Sequence, residues 1–170
     1  TVWKETVLKK LSKSGAEIII AINASPFTIS KYDERNDIAL SRVKETKLPI
    51  VYLNRTGGQD ELIFDGSSFS LNYDGKKFSS LEEFKEDIST INFEKNNGNW
   101  IGYGNVKENS SQSERLYKAL VLGLRDYVKN NKFSGVVLGL SGGVDSALVA
   151  ALATDAFGSK FVQAIMLPLS

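Results

Sequence analysis

The stretch VVLGLSGGVDSALVAALA, residues 136–153, decides the fold of the second half of the chain. An apolar run meets two adjacent glycines, an acidic residue follows, and a second apolar run begins. This order predicts a strand at 135–140, a tight glycine loop, and a helix from about 145 to 157. A further β-branched run predicts a strand at 161–167, which would complete a β-α-β unit with two parallel strands.

The glycine loop of this unit has the residue types that bind phosphate. Gly142 and Gly143 would let the backbone approach an anion closely, and the hydroxyls of Ser141 and Ser146 are further donors. The carboxylate of Asp145 would repel phosphate unless a Mg²⁺ ion lies between them, which makes Asp145 a candidate metal ligand. The alternative is an ordinary strand-to-helix turn in which Asp145 or Ser146 caps the helix.

The bulk composition excludes several kinds of site and partner. The 170 residues include no Cys and no His, which excludes disulfides, thiolate metal sites and a Ser-His triad. The net charge of +1 gives no reason to expect nucleic acid or a membrane as partner. No secretory signal and no apolar run of membrane length are visible, so we expect a cytoplasmic location.

The first half alternates helices and strands before it becomes rich in turns. Residues 94–113 lack periodicity and contain many Asn, Gly and Ser residues, which is typical of a linker. A second unit then begins near Ser113. The predicted elements of the first half are a helix at 4–14, a strand at 17–23, a surface helix opened by a capping box of Ser30 and Asp33, a strand at 49–54, and hairpins at the Asp-Gly pairs 65–66 and 74–75.

Several single residues are interpreted as structural. Gly57 and Gly58 are expected to shape a turn, and Asp60 and Glu61 to point to opposite faces of a strand, which argues against a joint acid-base role. Arg35 is expected on a solvated salt-bridge face of the surface helix. In the helix that follows the linker, the residues expected to share one buried face are Leu116, Leu120, Leu124 and Tyr127.

The glycine loop resembles a known family. Ser141 to Ser146 match the Ser-Gly-Gly-x-Asp-Ser loop of the N-type ATP pyrophosphatases, and the lysine of the common phosphate loop is absent. The resemblance implies that the loop holds the pyrophosphate end of ATP while the α-phosphate is attacked, with Mg²⁺ on Asp145. The ATP contacts that it implies are Gly139, Ser141, Gly142, Gly143, Val144, Asp145, Ser146 and, against adenine or as ordinary core, Met166 and Leu167.

Two longer stretches narrow the resemblance within that superfamily. YKALVLGLRDYVKNNKFSGVVLGLSGGVDSALVAALATDAFG is similar to the start of the synthetase domain in the glutamine-dependent NAD synthetase family. GAEIIIAINASPF and VYLNRTGGQDELIFDGSSF resemble the second half of its nitrilase-like glutaminase domain. The implied fold class is α/β. It joins the C-terminal half of a nitrilase-like α-β-β-α domain at 1–95, through a linker at 96–112, to the first β-α-β unit of a Rossmann-like adenine nucleotide α-hydrolase domain at 113–170.

The family resemblance carries further expectations about activity. It implies ATP-driven adenylation of nicotinate adenine dinucleotide and amidation by ammonia from glutamine, in a homo-oligomer. The glutaminase Cys, Glu and Lys are expected upstream of this chain, which would be a segment without glutaminase activity of its own. Ser25 is expected to contact glutamine, or simply to end its strand before Pro26, and a short turn is expected to lead into a strand from about Lys85.

Two alternative functions stay open at this point. The first is another N-type ATP pyrophosphatase, either an amidotransferase or a tRNA-modifying enzyme, although a basic groove would be expected for the latter. The second is a nucleotide-binding fragment without catalysis. It would keep the fold but release no pyrophosphate from ATP and the dinucleotide.

Overall fold

The computed structural model describes residues 7–166, which form two compact units. The first unit contains the described residues up to Thr56 together with residues 64–109, and the second contains residues 57–63 together with the described residues from Ser110 onward. The elements in chain order are α1 (Val7–Lys13), β1 (Ile19–Asn23), α2 (Lys31–Thr46), β2 (Ile50–Asn54), β3 (Thr56–Gln59), β4 (Leu62–Asp65), β5 (Phe69–Leu71), β6 (Lys77–Ser80), β7 (Asn92–Asn96), β8 (Asn99–Tyr103), α3 (Gln112–Asn130), β9 (Val136–Leu140), α4 (Val144–Phe157), a 3-10 turn (Ser159–Phe161) and β10 (Val162–Met166). Across residues 7–166 no helix has both the length and the apolar content that a bilayer crossing requires.

A four-stranded sheet in the order β1-β2-β5-β6 is the frame of the first unit. Strands β1 and β2 are parallel, with Asn23 beside Asn54 at their ends, and the other two pairings are antiparallel. Because β1 and β2 are parallel, their carboxyl ends reach the same edge of the sheet. The strands predicted at 17–23 and 49–54 are confirmed, with slightly shorter bounds.

Helix α2 covers this sheet and closes the core of the first unit. Its buried positions follow helical spacing and include one charged residue: Tyr32, Arg35, Ala39 and Val43. The core cluster consists of Ile19, Ala39, Val43, Ile50, Phe69 and Leu71. The predicted capping box is wrong, because the Ser30 hydroxyl donates to Glu34 Oε1 at 2.7 Å and makes no cap to the backbone.

The hairpins of the first half differ in part from the predicted ones. Asp74–Gly75 joins β5 to β6 as predicted, with Gly75 at φ 87°. The other pair, Asp65–Gly66, is no hairpin turn, because it connects β4 to a strand of a different sheet. The β3–β4 hairpin instead turns at residues 60–61, where Asp60 has φ 51°. Gly57 and Gly58 therefore lie within β3, and their interpretation as a turn is wrong.

A β-hairpin occupies part of the region expected to be an irregular linker. Strands β7 and β8 pair in antiparallel fashion around Asn97 and Gly98, which have φ values of 47° and 84°. Both left-handed residues fit the tight turn that Asn-Gly favours. No regular strand begins near Lys85, so that expectation is wrong, and the next strand starts at Asn92.

The second unit contains the predicted β-α-β arrangement. Strands β9 and β10 pair in parallel, with Val162 opposite Val136 and Met166 opposite Leu140, and α4 connects them. Helix α3 precedes this arrangement and packs against α4. The Ser111 side chain caps α3 by accepting a hydrogen bond from the backbone N–H of Glu114 at 3.3 Å.

The buried face of α3 is not the predicted one. Its buried positions are Arg115, Ala119, Leu122 and Val128. Three residues of the predicted face are exposed, with 41% of Leu116, 44% of Leu120 and 51% of Tyr127 accessible to solvent, and the fourth, Leu124, is half-buried. Ala119 and, on α4, Ala153 are buried, and small residues of this kind let helices approach closely. The buried face of α3 therefore contains Ala119 and Leu122 rather than the predicted leucines, Leu116 and Leu120.

Strand β3 packs on α3 within the second unit through Gly58. The Gly58 N–H donates to Asp126 Oδ2 at 2.7 Å, and the Gly58 carbonyl accepts from Asn130 Nδ2 at 3.3 Å. A Cβ atom on Gly58 would lie 3.0 Å from the Asp126 Cβ, so the close approach depends on glycine.

Candidate functional site

In the loop between β9 and α4, the backbone geometry requires glycine at one position. Gly142 has φ 83°, a left-handed conformation that side chains with a Cβ adopt at a cost, and no atom lies within 4 Å of the position a Cβ would take. Gly143 is the helix N-cap and is extended, with φ −85° and ψ 159°. Backbone geometry therefore requires glycine at 142 only. At 143 the missing side chain leaves space above the helix.

The two serines of the loop hydrogen-bond to each other and to the loop backbone. Their hydroxyl oxygens are 3.2 Å apart, and Ser146 Oγ also donates to the Gly143 carbonyl at 3.0 Å. The Ser141 N–H donates to Ser146 Oγ at 3.3 Å, and the Gly143 N–H donates to Ser141 Oγ at 3.4 Å. These bonds stabilise the turn before any ligand binds, a role that the sequence analysis did not assign to the serines.

The first turn of α4 presents backbone amides to solvent. The first intrahelical bond runs from the Ala147 N–H to the Gly143 carbonyl, at 3.2 Å. The amides of Val144, Asp145 and Ser146 come before it and therefore have no acceptor within the helix. In contrast to Ser111 on α3, Gly143 makes no side-chain cap. The positive end of the helix dipole adds to these amides, so the arrangement can bind an anion.

Asp145 is the only acidic residue in the first turn of α4, and its side chain is exposed. Within residues 7–166 no group of three or more His, Cys, Asp or Glu side chains could hold a metal ion. Asp145 therefore forms no metal site of this kind by itself. One carboxylate fits the way Mg²⁺ is usually held, through one or two protein carboxylates together with substrate phosphates and water. Without a ligand, the same carboxylate stabilises the helix dipole.

The structure brings other predicted nucleotide contacts to the same edge of the β9–β10 sheet. Gly139 lies opposite Ile165, one residue before the Leu140–Met166 pair that ends both strands. Met166 is 80% exposed, so among the described residues it is not part of a core. Leu167, the last predicted contact, lies outside the described residues.

Ser25, the predicted glutamine contact, lies in the first unit just beyond the end of β1. Its N–H donates to Asn54 Oδ1 at 2.8 Å, and its carbonyl accepts from Asn54 Nδ2 at 3.2 Å. Arg35 Nη1 also donates to this carbonyl, at 3.4 Å. A side-chain amide that bonds both backbone groups of one residue continues the β1–β2 pairing beyond the last ladder pair, Asn23 with Asn54.

A buried ion pair lies behind Ser25. Arg35 Nη1 and Nη2 donate to the two carboxylate oxygens of Asp65, at 2.9 Å and 2.5 Å. Their side chains are only 4% and 0% exposed. Asp65 Oδ1 also accepts from Asn54 Nδ2 at 3.3 Å. The expectation of a solvated position for Arg35 is therefore wrong, because the guanidinium lies on the core side of α2.

Tyr52 is a further titratable group near Ser25. Burial raises the pKa of the Tyr52 phenol above its ordinary value of 10.0, and the positive charge of Arg35 and the nearby Ser25 side chain oppose part of that rise. The Tyr52 ring stacks on Phe69, with centroids 5.1 Å apart and planes 8° from parallel. This stacking fixes the plane of the Tyr52 ring.

Sequence reasoning missed Asn54, Asp65, Arg35 and Tyr52 as neighbours of Ser25. Asp65 gave a usable signal, since a carboxylate directly after the apolar run Leu62–Phe64 is unusual in a buried strand unless it is paired. The identity of its partner could not be inferred, because Arg35 lies 30 residues earlier.

Known proteins are similar to this chain across both of its units. A family model described as NAD synthase matches residues 116–170. Glutamine-dependent NAD(+) synthetases from Rhodobacter capsulatus and Acinetobacter baylyi are 43% and 41% identical over 98% of this chain. The chain is thus similar to a segment of these glutamine-dependent NAD(+) synthetases. It spans about 30% of the length of these relatives, with 30% of the first and 31% of the second covered.

The solved structures confirm the predicted α/β fold class. The glutamine-dependent NAD(+) synthetase from Acinetobacter baumannii, in complex with ADP, has 38% identity and a TM-score of 0.85 over 96% of this chain and 31% of that one. The enzyme from Cytophaga hutchinsonii, at 24% identity, shares the fold with a TM-score of 0.64 over 85% of this chain and 23% of that one. The match to the Acinetobacter baumannii structure thus extends over both units.

Proposed function

We propose that this chain is part of a glutamine-dependent NAD(+) synthetase and supplies its pyrophosphate-binding loop. One observation carries the proposal: relatives with that name align over 98% of the chain, across both units. The open amides of α4 support it, since an outgoing pyrophosphate is an anion of the kind that a helix N-terminus stabilises.

The chemistry proposed for the complete protein has two steps. The carboxylate of nicotinate adenine dinucleotide attacks the α-phosphorus of ATP and the bond to the β-phosphate oxygen breaks, which yields an adenylate and pyrophosphate. Ammonia then attacks the activated carboxyl carbon, AMP leaves, and NAD with its amide results. In this chain the amides of Val144, Asp145 and Ser146 would bind and orient the pyrophosphate. Mg²⁺, held by Asp145, would supply charge neutralisation between phosphate oxygens.

The first unit would serve the ammonia-producing half of the reaction. Ser25 would contact glutamine, and the nucleophilic Cys with its Glu and Lys partners would come from parts of the protein outside this chain, which contains no Cys. We further propose domain bounds of 1–95 and 113–170 with a linker at 96–112. We also propose that the complete protein is a cytoplasmic homo-oligomer that binds neither nucleic acid nor membranes.

The test is an activity measurement on the complete protein that carries this chain. With ATP, Mg²⁺ and nicotinate adenine dinucleotide, we expect release of pyrophosphate and, with glutamine, formation of NAD. Asp145→Asn should lower the adenylation rate by more than about tenfold, since loss of even outer-sphere metal partners has effects of that size. Pyrophosphate release independent of the dinucleotide would favour another N-type ATP pyrophosphatase, and absence of release would contradict the proposal.

A matched control is available on the same helix. Asp155, near the other end of α4, is also exposed and accepts a hydrogen bond from the Tyr117 hydroxyl at 2.7 Å. Asp155→Asn makes the same chemical change away from the loop and should leave the adenylation rate near that of the unmodified protein. Equal losses in Asp145→Asn and Asp155→Asn would contradict the metal role of Asp145.

A further inference from the structure

The segment that carries Ser25 is held by side chains from different elements of the first unit. Asn54 comes from the end of β2, Arg35 from α2 and Asp65 from the end of β4. Asn54 bonds both backbone groups of Ser25, and Asp65 accepts from Asn54 and from Arg35. The position of the Asn54 amide is therefore fixed by the ion pair behind it.

Stability alone does not explain a buried ion pair at this place. Apolar side chains of similar size stabilise a buried site as well as an ion pair or better, because both charges lose their hydration. An ion pair adds a fixed orientation of its two side chains, because the guanidinium and the carboxylate meet through two parallel hydrogen bonds of fixed geometry. Here that geometry orients the Asn54 amide, and through it the backbone of Ser25.

The bonding of Ser25 also determines which of its groups can meet a ligand. Its N–H is engaged by Asn54, and its carbonyl accepts from both Asn54 and Arg35, which fills both lone pairs. Its hydroxyl is not engaged by Asn54 or Arg35. A contact with substrate would therefore use the hydroxyl, whose place depends on how firmly the backbone beneath it is held.

We infer that Asn54, oriented by the Arg35–Asp65 ion pair, is a positioning residue that places the Ser25 hydroxyl for glutamine binding. The inference rests on the proposed function. A contact made equally to the bound substrate and in the transition state changes KM and leaves kcat alone. Loss of the Asn54 amide should therefore weaken the use of glutamine and spare the use of free ammonia.

The experiment compares two nitrogen sources in the complete protein that carries this chain. In Asn54→Leu, which keeps the side-chain size and removes the amide, we expect the KM for glutamine to rise about tenfold, in line with the loss of a pair of hydrogen bonds. The kcat with glutamine and the rate with ammonium chloride should stay within about twofold of the unmodified protein. An unchanged KM for glutamine would overturn the inference.

The chain offers a matched control in the same unit. Asn72 makes the same kind of bidentate contact elsewhere, accepting from the Gly102 N–H at 2.7 Å and donating to its carbonyl at 3.2 Å. Asn72→Leu removes an equivalent pair of bonds and should leave the KM for glutamine unchanged. Equal rises of KM in Asn54→Leu and Asn72→Leu would show a general loss of structure and overturn the inference.

If Asn54→Leu does not fold, NAD will form from neither glutamine nor ammonium chloride. A second variant tests the inference if that happens. Arg35→Lys keeps the buried positive charge, but a single ammonium cannot reproduce the planar fork that contacts Asp65 and Ser25 together. Its KM for glutamine should rise while the rate with ammonium chloride persists, and an unchanged KM would overturn the inference. Failure of the proposed function looks different, because the unmodified protein would then make no NAD from either source.

Discussion

Two serine-bearing segments of this chain, around Ser25 and around Ser141, follow strand ends but differ in what their backbones do. The backbone groups of Ser25 are engaged by Asn54 and Arg35. The loop after β9 is exposed, and the first amides of α4 have no acceptor within the helix.

The difference separates two ways of preparing a binding site. A segment with satisfied backbone groups presents a side chain at a fixed place, which suits recognition of one small molecule. A loop with open amides presents the backbone itself, which suits an anion with many oxygens. Substitutions in the structure around Ser25 should therefore change stability more strongly, and substitutions in the loop around Ser141 should mainly change ligand binding.

The largest stability effect is expected where the ion pair is broken. Asp65→Asn leaves the Arg35 guanidinium buried without a counter-charge and should lower the free energy of unfolding by about 3–5 kcal/mol. Asp145→Asn, at an exposed helix end, should lower it by less than about 1 kcal/mol. Urea unfolding of both variants in the complete protein measures this, and equal losses would contradict the contrast between the two segments.

An intermediate effect is expected for the paired glycines. Gly142→Ala should lower the free energy of unfolding by about 1–2 kcal/mol, because φ is 83° there. Gly143→Ala should change it by less than about 0.5 kcal/mol, since the backbone is extended and a Cβ would have only an ordinary contact, 3.5 Å from Ser141 Oγ.

For ATP binding we expect the opposite order, with a larger loss of affinity in Gly143→Ala than in Gly142→Ala. The added methyl group of Gly143→Ala would stand in the open space beside the first amides of α4. It should weaken ATP binding, measured by titration calorimetry, although its effect on the free energy of unfolding is small. If Gly143→Ala bound ATP as tightly as the unmodified protein, the phosphate would not approach the backbone there.

The smallest effect concerns pH. Because burial raises the Tyr52 pKa above 10.0, the folded state holds the phenol proton more tightly than the unfolded state. The resulting stability is fully present below the unfolded pKa of about 10 and is lost as the pH rises through the folded pKa. Tyr52→Phe should weaken this alkaline loss in unfolding measurements between neutral and strongly alkaline pH. The same pH dependence in both proteins would contradict the assignment to Tyr52.

Local patterns predicted the β-α-β arrangement and the glycine loop well. The alternation of apolar runs and glycines around residues 136–153 is contained within one short stretch, and both the strand and the helix there depend on near neighbours. The internal bonding of Ser141 and Ser146 was not predicted, since hydroxyl partners follow from the exact backbone path of the turn.

Long-range pairing was beyond sequence reasoning. Arg35 and Asp65 are 30 residues apart, and Ser25 and Asn54 are 29 apart, so their contacts arise only after α2 packs on the sheet. The β7–β8 hairpin was missed for a different reason. The Asn97–Gly98 signal was present, but β7 has mostly polar residues and neither flanking segment shows the clear apolar alternation expected of strands.

The docking of β3 on α3 through Gly58 has a consequence for protein engineering. The chain passes between the two units after Thr56, again after Ile63, and a third time after Asn109. A single cut near Asn109 would free α3 from Gly58 and leave the Asp126 carboxylate and the Asn130 amide without the backbone they bind. An isolated second unit must therefore carry residues 57–63 as a graft, and a chimera of two relatives should exchange this peptide together with its helix.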